Sequence, residues 1–450
     1  MKRVSIVCLC FMMLSISCRK QEAVPLAKDW SVPIKFAESD DSLGGGVVVY
    51  KWHESVFALK SQRDGAATCF LLNSNDNSWN EVSFSGVPRG YLWCRPAIDP
   101  NGDKVFFEQN HTENDQLIIS IFLGQIVIKN GLSVQNVSEK KWVIGSKALF
   151  GETSNVRLAE QPGTSDSPIF GIGIISDQSL EIPYSLTGFS LSEEGAVTRG
   201  PYANGVLYST NSGTNWRTEK TPESLGGPSS VIKTKSCFYC FAAKLERNHG
   251  TQLWFTQKTD AGASWDVPSA ITKTFGSDYA AVPQDDTIHL FWLDARHEKR
   301  TGNPVYPNAG NYEVTYSQKK DSDISWSKEV VLSRGILYSY RPSVSVEGDK
   351  IVVAWAGIQT AGVWHSPFDP NDIYYVTSKD RGKTWTELLR VTDNVKSGIT
   401  AGDPQVVLLN GIIHLTYTQG KLKLNQESPG LTKLNQPPWP IYYTQRPFPN

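Results

Sequence analysis

Apolar and polar positions alternate along this chain in short runs, and the runs come in pairs joined by tight polar turns. GGVVVYKWHESVFALKS from Gly45, RPAIDPNGDKVFFEQN from Arg95 and PIFGIGIISDQSLEIPYS from Pro168 are the first three pairs. SVIKTKSCFYCFAA from Ser230, AAVPQDDTIHLFWLDA from Ala280, RPSVSVEGDKIVVAWAG from Arg341 and DPQVVLLNGIIHLTYTQ from Asp403 follow. Asp, Asn and Gly between the runs predict hairpins. A third strand follows each pair: TCFLLNS, LIISIFL, GVLYSTN, QLWFTQK, EVTYSQK, IYYVTSK and IYYTQRP. After the last of these only Phe448-Pro449-Asn450 remain, so the final unit lacks an outer strand. A lone strand at residues 30–36 can supply it and remove a free edge. The pattern predicts an all-β fold: a single β-propeller of seven blades, each of four antiparallel strands, closed by the N-terminal strand. Six blades is the alternative, if residues 118–216 are not two units.

Composition agrees with sheet. The 450 residues are 40% hydrophobic and 20% charged, enough for a buried core, and they include fourteen Trp but only three Met. A net charge of −1 leaves no footprint for nucleic acid.

The N-terminus adds a targeting signal. Lys2 and Arg3 precede an apolar run at 4–16 that is too short to span a bilayer. It ends Leu14-Ser15-Ile16-Ser17-Cys18, which resembles a bacterial lipobox, with Cys18 as the lipidated residue. The segments expected are a lipoprotein signal peptide at 1–17, a tether at 18–29 and the propeller at 30–450. The expected location is the bacterial cell envelope, as a monomer that meets the membrane through its lipid anchor only. An ordinary secretory signal is the alternative. Cys237 and Cys240 have CxxC spacing, but in a strand their Cα atoms lie about 10 Å apart, too far for a disulfide. Two small buried hydrophobes are expected there.

The stretch Ser378-Lys379-Asp380-Arg381-Gly382-Lys383-Thr384-Trp385 reads as a one-turn device. The Asp carboxylate takes backbone N–H groups, Gly supplies a positive φ, and Trp brings a large apolar ring. Weaker copies end at Trp79, Trp216, Trp265 and Trp326; the last four tryptophans of the series are 49, 61 and 59 residues apart. The motif resembles the Asp-box, or BNR repeat, of sialidase-like β-propellers. That resemblance implies an architectural role, on the face away from an active site.

Connections between second and third strands are read as long: QNHTENDQ, KLERNHGTQ, DARHEKRTGNPVYPNAGN, GIQTAGVWHSPFDPND and GKLKLNQESPGLTKLNQPPWP. They gather on one face, the usual place for a site. His111, His249, His297 and His365 fall in them, whereas His289 and His414 lie inside strands and read as core. Arg95-Pro96 and Arg341-Pro342 open inner strands on that face and resemble the Arg-Ile-Pro segment of sialidases, whose Arg grips a substrate carboxylate. Asp294-Ala295-Arg296 resembles the family's Asp-x-Arg step, and Asp369 stands where its acid Asp stands. The resemblance implies Asp369 and Asp294 as catalytic candidates, with Arg95, Arg296 and Arg341 binding substrate, and loop placement adds His297 and His365 as proton-transfer candidates. Tyr338, Tyr340 and Glu108 are candidates for the Tyr nucleophile and its Glu partner, but no pair is identified. No metal and no cofactor is expected. The lead reading is a glycan-binding or glycan-cleaving propeller of sialidase-like type, with an acidic substrate. A polysaccharide lyase using loop His, Tyr and Arg, or a non-catalytic carbohydrate- or protein-binding propeller, are the alternatives.

Overall fold

The computed structural model describes residues 24–39, 47–61, 67–73, 76–84, 97–98, 104–113, 116–128, 132–145, 157–158, 173–174, 180–191, 197–209, 215, 217–225, 228–246, 250–259, 263–272, 276–295, 312–336, 338–359, 371–394, 399–424, 432–434 and 439–449. Over these residues the chain is all-β, with one 3-10 turn at Glu223–Leu225 and no α-helix. Among the described residues no helix is long and apolar enough to cross a membrane.

The strands form six sheets. Residues 228–270, 276–331 and 338–390 each make a four-stranded sheet whose strand order follows the chain. Residues 47–84 and 97–145 make two more such meanders, joined into one eight-stranded sheet where Ser83 and Phe84 pair in parallel with Ser133 and Val134. Residues 157–220 form a five-stranded sheet. In the last sheet Ile399–Leu409 and Ile412–Leu424 pair as a hairpin, Trp439–Pro447 adds beside them, and Ile34–Ser39 takes the outer edge, antiparallel to Trp439–Pro447.

The N-terminal strand therefore starts at Ile34, later than the 30–36 expected. Pro33 has no N–H to give a ladder, so regular pairing begins only after it. Ahead of it, Ser31 bonds Gln445 both ways: its N–H donates to the carbonyl at 2.9 Å, and its Oγ accepts the Gln445 N–H at 3.0 Å. The stretch expected as a tether is docked from Val24 onward. Val24 N–H donates to Gln359 Oε1 at 2.9 Å, and Arg390 exchanges backbone bonds with Pro25 and Ala27 at 2.9 and 2.8 Å. Trp30 stands edge-on to Tyr375 with ring centroids 5.3 Å apart. Residues 24–33 thus form a strap along the outer edges of the last two sheets.

Consecutive sheets share cores. Phe291 and Tyr316 pack with Trp355 and Tyr374 of the next sheet and with Leu408 and Leu415 of the last. Tyr239 and Phe255 pack with Leu290 and Trp292. Val56 and Leu72, early in the chain, pack with Val407, Leu409 and Tyr443 at its end. Each interface carries the tryptophan of a turn motif. Trp385 lies edge-on to Phe291 and Tyr316 at 6.0 and 5.0 Å, Trp326 edge-on to Phe255 at 5.3 Å, and Trp79 edge-on to Tyr443 at 5.2 Å.

The turn carrying Trp385 closes largely as its sequence predicts. Asp380 accepts the N–H of Thr384, four residues on, at 2.8 Å and the Thr384 hydroxyl at 2.5 Å. Ser378 Oγ donates to Asp380 at 2.8 Å and accepts the Gly382 N–H at 2.9 Å. Burial works against the Asp380 charge, but these donated bonds outweigh it and hold the carboxyl below its ordinary value. Gly382 has φ +81, and a Cβ there would run into the Tyr316 hydroxyl.

These turns and the hairpin turns occupy one end of the strands and are laced to one another. Glu347 accepts the N–H groups of Asn410 and Gly411 at 2.7 and 2.8 Å. Asp321 reaches the preceding sheet, taking the Thr234 hydroxyl at 2.6 Å and the Ser236 N–H at 3.0 Å. Arg381 N–H donates to Asp349 O at 3.0 Å, and Lys235 N–H to Asp285 O at 2.7 Å.

His289 and His414 are core residues, at 0% and 7% exposure. Cys69, Cys237 and Cys240 are buried thiols outside any disulfide, and burial raises the Cys237 pKa to about 11.

Candidate functional site

The opposite end of the strands, where each inner strand begins, carries a repeated irregularity. Two inner-strand residues face one residue of the second strand at the same level in three successive sheets. Asp278 is the extra residue beside the Tyr279–Trp292 pair. Arg341-Pro342 lies across from Trp355, and Asp403-Pro404 across from Tyr417. A fourth shift falls between Pro228 and Ser230 in the preceding sheet. Asp278, Arg341 and Asp403 all have left-handed backbone, with φ of 38, 54 and 47°. Non-glycine residues in that region cost about 1 kcal/mol or more, and they collect at binding and catalytic sites.

The repeated positions touch across the sheets. Arg341 Nη1 is paired with Asp403 Oδ1. The Arg341 side chain is 44% exposed and that of Asp403 only 7%. Asp403 Oδ2 is buried with no hydrogen-bond partner among the described residues. Beneath Arg341, the Tyr340 hydroxyl donates to Ala401 O at 3.2 Å and accepts from Asn371 Nδ2 at 2.5 Å, and Asn371 also reaches Thr400 Oγ1 at 2.9 Å. Burial raises the Tyr340 pKa, so this phenol is a neutral strut. Tyr338 stands two residues before it, edge-on to Tyr312 at 5.0 Å. Burial, then the neighbouring Tyr312 and Asp278, push its pKa up to about 12.

Of the expected site residues, Arg341 and Asp294 are described. Asp294 closes the strand Thr287–Asp294 opposite Gly276, at the same end as the bulges. It is 1% exposed, and its Oδ2 accepts the Trp292 indole N–H at 3.2 Å. Arg95, Arg296, His297, His365, Asp369, His249 and Cys18 lie outside the described residues. Two connections are shorter than expected. Glu113 pairs directly with Gln116, which puts His111 inside the strand Lys104–Glu113, and Glu246 pairs with Gly250. Glu108 sits in the same strand as His111. Among the described residues no group of three His, Cys, Asp or Glu is placed to hold a metal.

Asp403 was not singled out in the sequence, yet a signal was there. Asp403-Pro404 repeats Arg341-Pro342 after 62 residues, one repeat later. Reading it as the start of a hairpin hid its equivalence to the arginine.

No family model and no curated protein matches this chain. Among solved structures it is similar to the polysaccharide lyase Uly1, with a TM-score of 0.50, 9% identity, and 94% of this chain covering 100% of that one. A phage phi92 endosialidase gives 0.43 at 9% identity over 94% of this chain and 70% of that one. The NanB sialidase of Streptococcus pneumoniae gives 0.39 at 12% identity over 94% and 71%. The likeness to Uly1 is one of fold and runs the length of both chains. It places this protein among propeller-like all-β folds.

Proposed function

We propose that this protein is an exported lipoprotein whose seven-bladed propeller binds or cleaves an acidic glycan at the bulged end of its inner strands. In this reading the eight-stranded sheet is two blades, the N-terminal strand completes the last blade and closes the ring, and the Asp-box turns fasten the far side. Cys18 carries the lipid. The observation that carries the glycan assignment is the Arg341–Asp403 pair. A guanidinium is a planar fork of N–H donors that stays charged, a shape suited to a sugar carboxylate held two-pronged. Asp403, itself buried, holds that exposed guanidinium in place, and an acidic sugar is the ligand class the fork suits. In hydrolysis Asp294 and Asp369 are the acid and base candidates, with Arg95 and Arg296 adding to the anion grip.

Elimination is the second reading, favoured by Tyr338. A phenol kept protonated at this lip is suited to give its proton to a departing sugar oxygen while a base takes the ring C5 proton.

The test is binding and turnover of sialylated, uronate-bearing and neutral oligosaccharides. We expect acidic ones to bind, and Arg341→Gln to weaken them at least about tenfold, or 1.4 kcal/mol. A released reducing sugar acid indicates hydrolysis, an unsaturated uronate indicates elimination, and binding without product leaves a recognition module. Absence of acidic-glycan binding, or an unaltered Arg341→Gln variant, defeats the assignment.

A further inference from the structure

Three large apolar side chains on the N-terminal strap and the start of the strand it leads into are left in solvent: Leu26 at 43% exposure, Val32 at 83% and Ile34 at 43%. Pro25, Pro33, Lys28, Asp29 and Lys35 are exposed among them, with Lys35 paired to Glu38. The strap does not turn its main apolar side outward for want of a core. Val24, Ala27 and Trp30 pack inward against the shared core, and Phe36 inward against Phe70 and Trp79. Leu26, Val32 and Ile34 are the residues left over. They run along the outer edges of the last two sheets, where Leu26 bridges Arg390 and Ile34 pairs with Tyr443.

The sequence says what lies next to them. Six peptide steps separate Cys18 from Val24, a reach of about 20 Å at full extension. Arg19 and Lys20 fall within those steps, and cations near a bilayer surface favour anionic headgroups.

We infer that the outer surface of this strap, with Leu26, Val32 and Ile34 as its apolar contacts, rests on the lipid bilayer to which Cys18 is anchored. The ring then stands edge-on to the membrane. Neither end of its axis is covered, and the bulged end stays open to a long polysaccharide. This rests on the lipoprotein reading above, but its test can be separated from it.

An environment-sensitive fluorophore is placed on Val32→Cys in the full chain. The same label on Val267→Cys, 89% exposed on a different sheet, serves as the reference. Both proteins are held on vesicles of phosphatidylethanolamine and phosphatidylglycerol. We expect the label at 32 to shift to shorter wavelength and to be quenched severalfold by spin-labelled lipid, with the label at 267 unmoved. Leu26→Ser with Ile34→Ser should abolish the shift at 32; both sites are exposed, so the fold survives them. Identical emission and quenching at 32 and 267 overturns the inference. The mass of the N-terminal peptide reports the anchor independently. A lipid-free Cys18 with quenching still seen at 32 sinks the lipoprotein reading and keeps the strap contact.

Discussion

His289 shows how a side chain that titrates near neutrality is put to structural use. Its Nδ1 lies 2.9 Å from the Tyr316 hydroxyl and its Nε2 2.8 Å from Gln284 Oε1. His414 repeats the arrangement, with Nδ1 2.8 Å from the Tyr443 hydroxyl. Burial lowers both pKa values from 6.5 to about 4, helped at His289 by the Arg381 charge and opposed at His414 by Glu347. Unfolded, each imidazole binds a proton near pH 6.5; folded, only near 4. Within that window the unfolded chain holds more protons, so stability rises with pH and is lost on acidification. Each histidine should remove about 3 kcal/mol by the bottom of the window. Urea midpoints measured at neutral pH and through the acid limb should show this slope, and His289→Gln should remove roughly half of it. A flat profile across the window contradicts the assignment.

At the scale of elements, the tryptophan wedges set the spacing of the sheets. Trp385 belongs to one sheet but its ring contacts lie in another, at Phe291 and Tyr316. Trp385→Ala should therefore cost about 3 kcal/mol, as large aromatic deletions do, and should loosen an interface rather than a turn. Amide exchange should quicken in both flanking sheets; quickening confined to the turn at 378–385 would contradict the wedge. This level of structure was the most legible in the sequence. Hairpin pairs, third strands and the turn motif follow from period-two patterning and from Gly and Asp at fixed offsets, and they are local. The bulges were not legible. A bulge is a property of two strands together, and Asp278, Arg341 and Asp403 look like ordinary strand starts until their partners Trp292, Trp355 and Tyr417 are known. Candidate chemistry was half-read for the same reason. Arg341 was chosen by resemblance, but its partner Asp403 comes from another repeat.

For the whole molecule, the ends of the chain matter most. Ile34–Ser39 covers an edge that Trp439–Pro447 would otherwise present to solvent. Arg446, 7% exposed, is held under the strap, with its guanidinium over the rings of Trp30 and Tyr375 and one Nη on the Tyr375 hydroxyl. Removing residues 24–39 should leave a bare edge and a buried cation short of partners. We expect lower thermal stability and concentration-dependent aggregation by light scattering; a monomeric truncated chain of unchanged stability would show that the strap is dispensable.

The lacing at the turn end also bears on how such a fold diversifies. Glu347 fits the N–H groups of Asn410 and Gly411, whereas Asp321 fits Thr234 and Ser236, so these two junctions are fastened by different groups. The repeats resemble one another in outline but are not interchangeable parts. A transplanted repeat would arrive without its neighbour's matching groups, so innovation by shuffling is barred here, and variation is channelled to the opposite end.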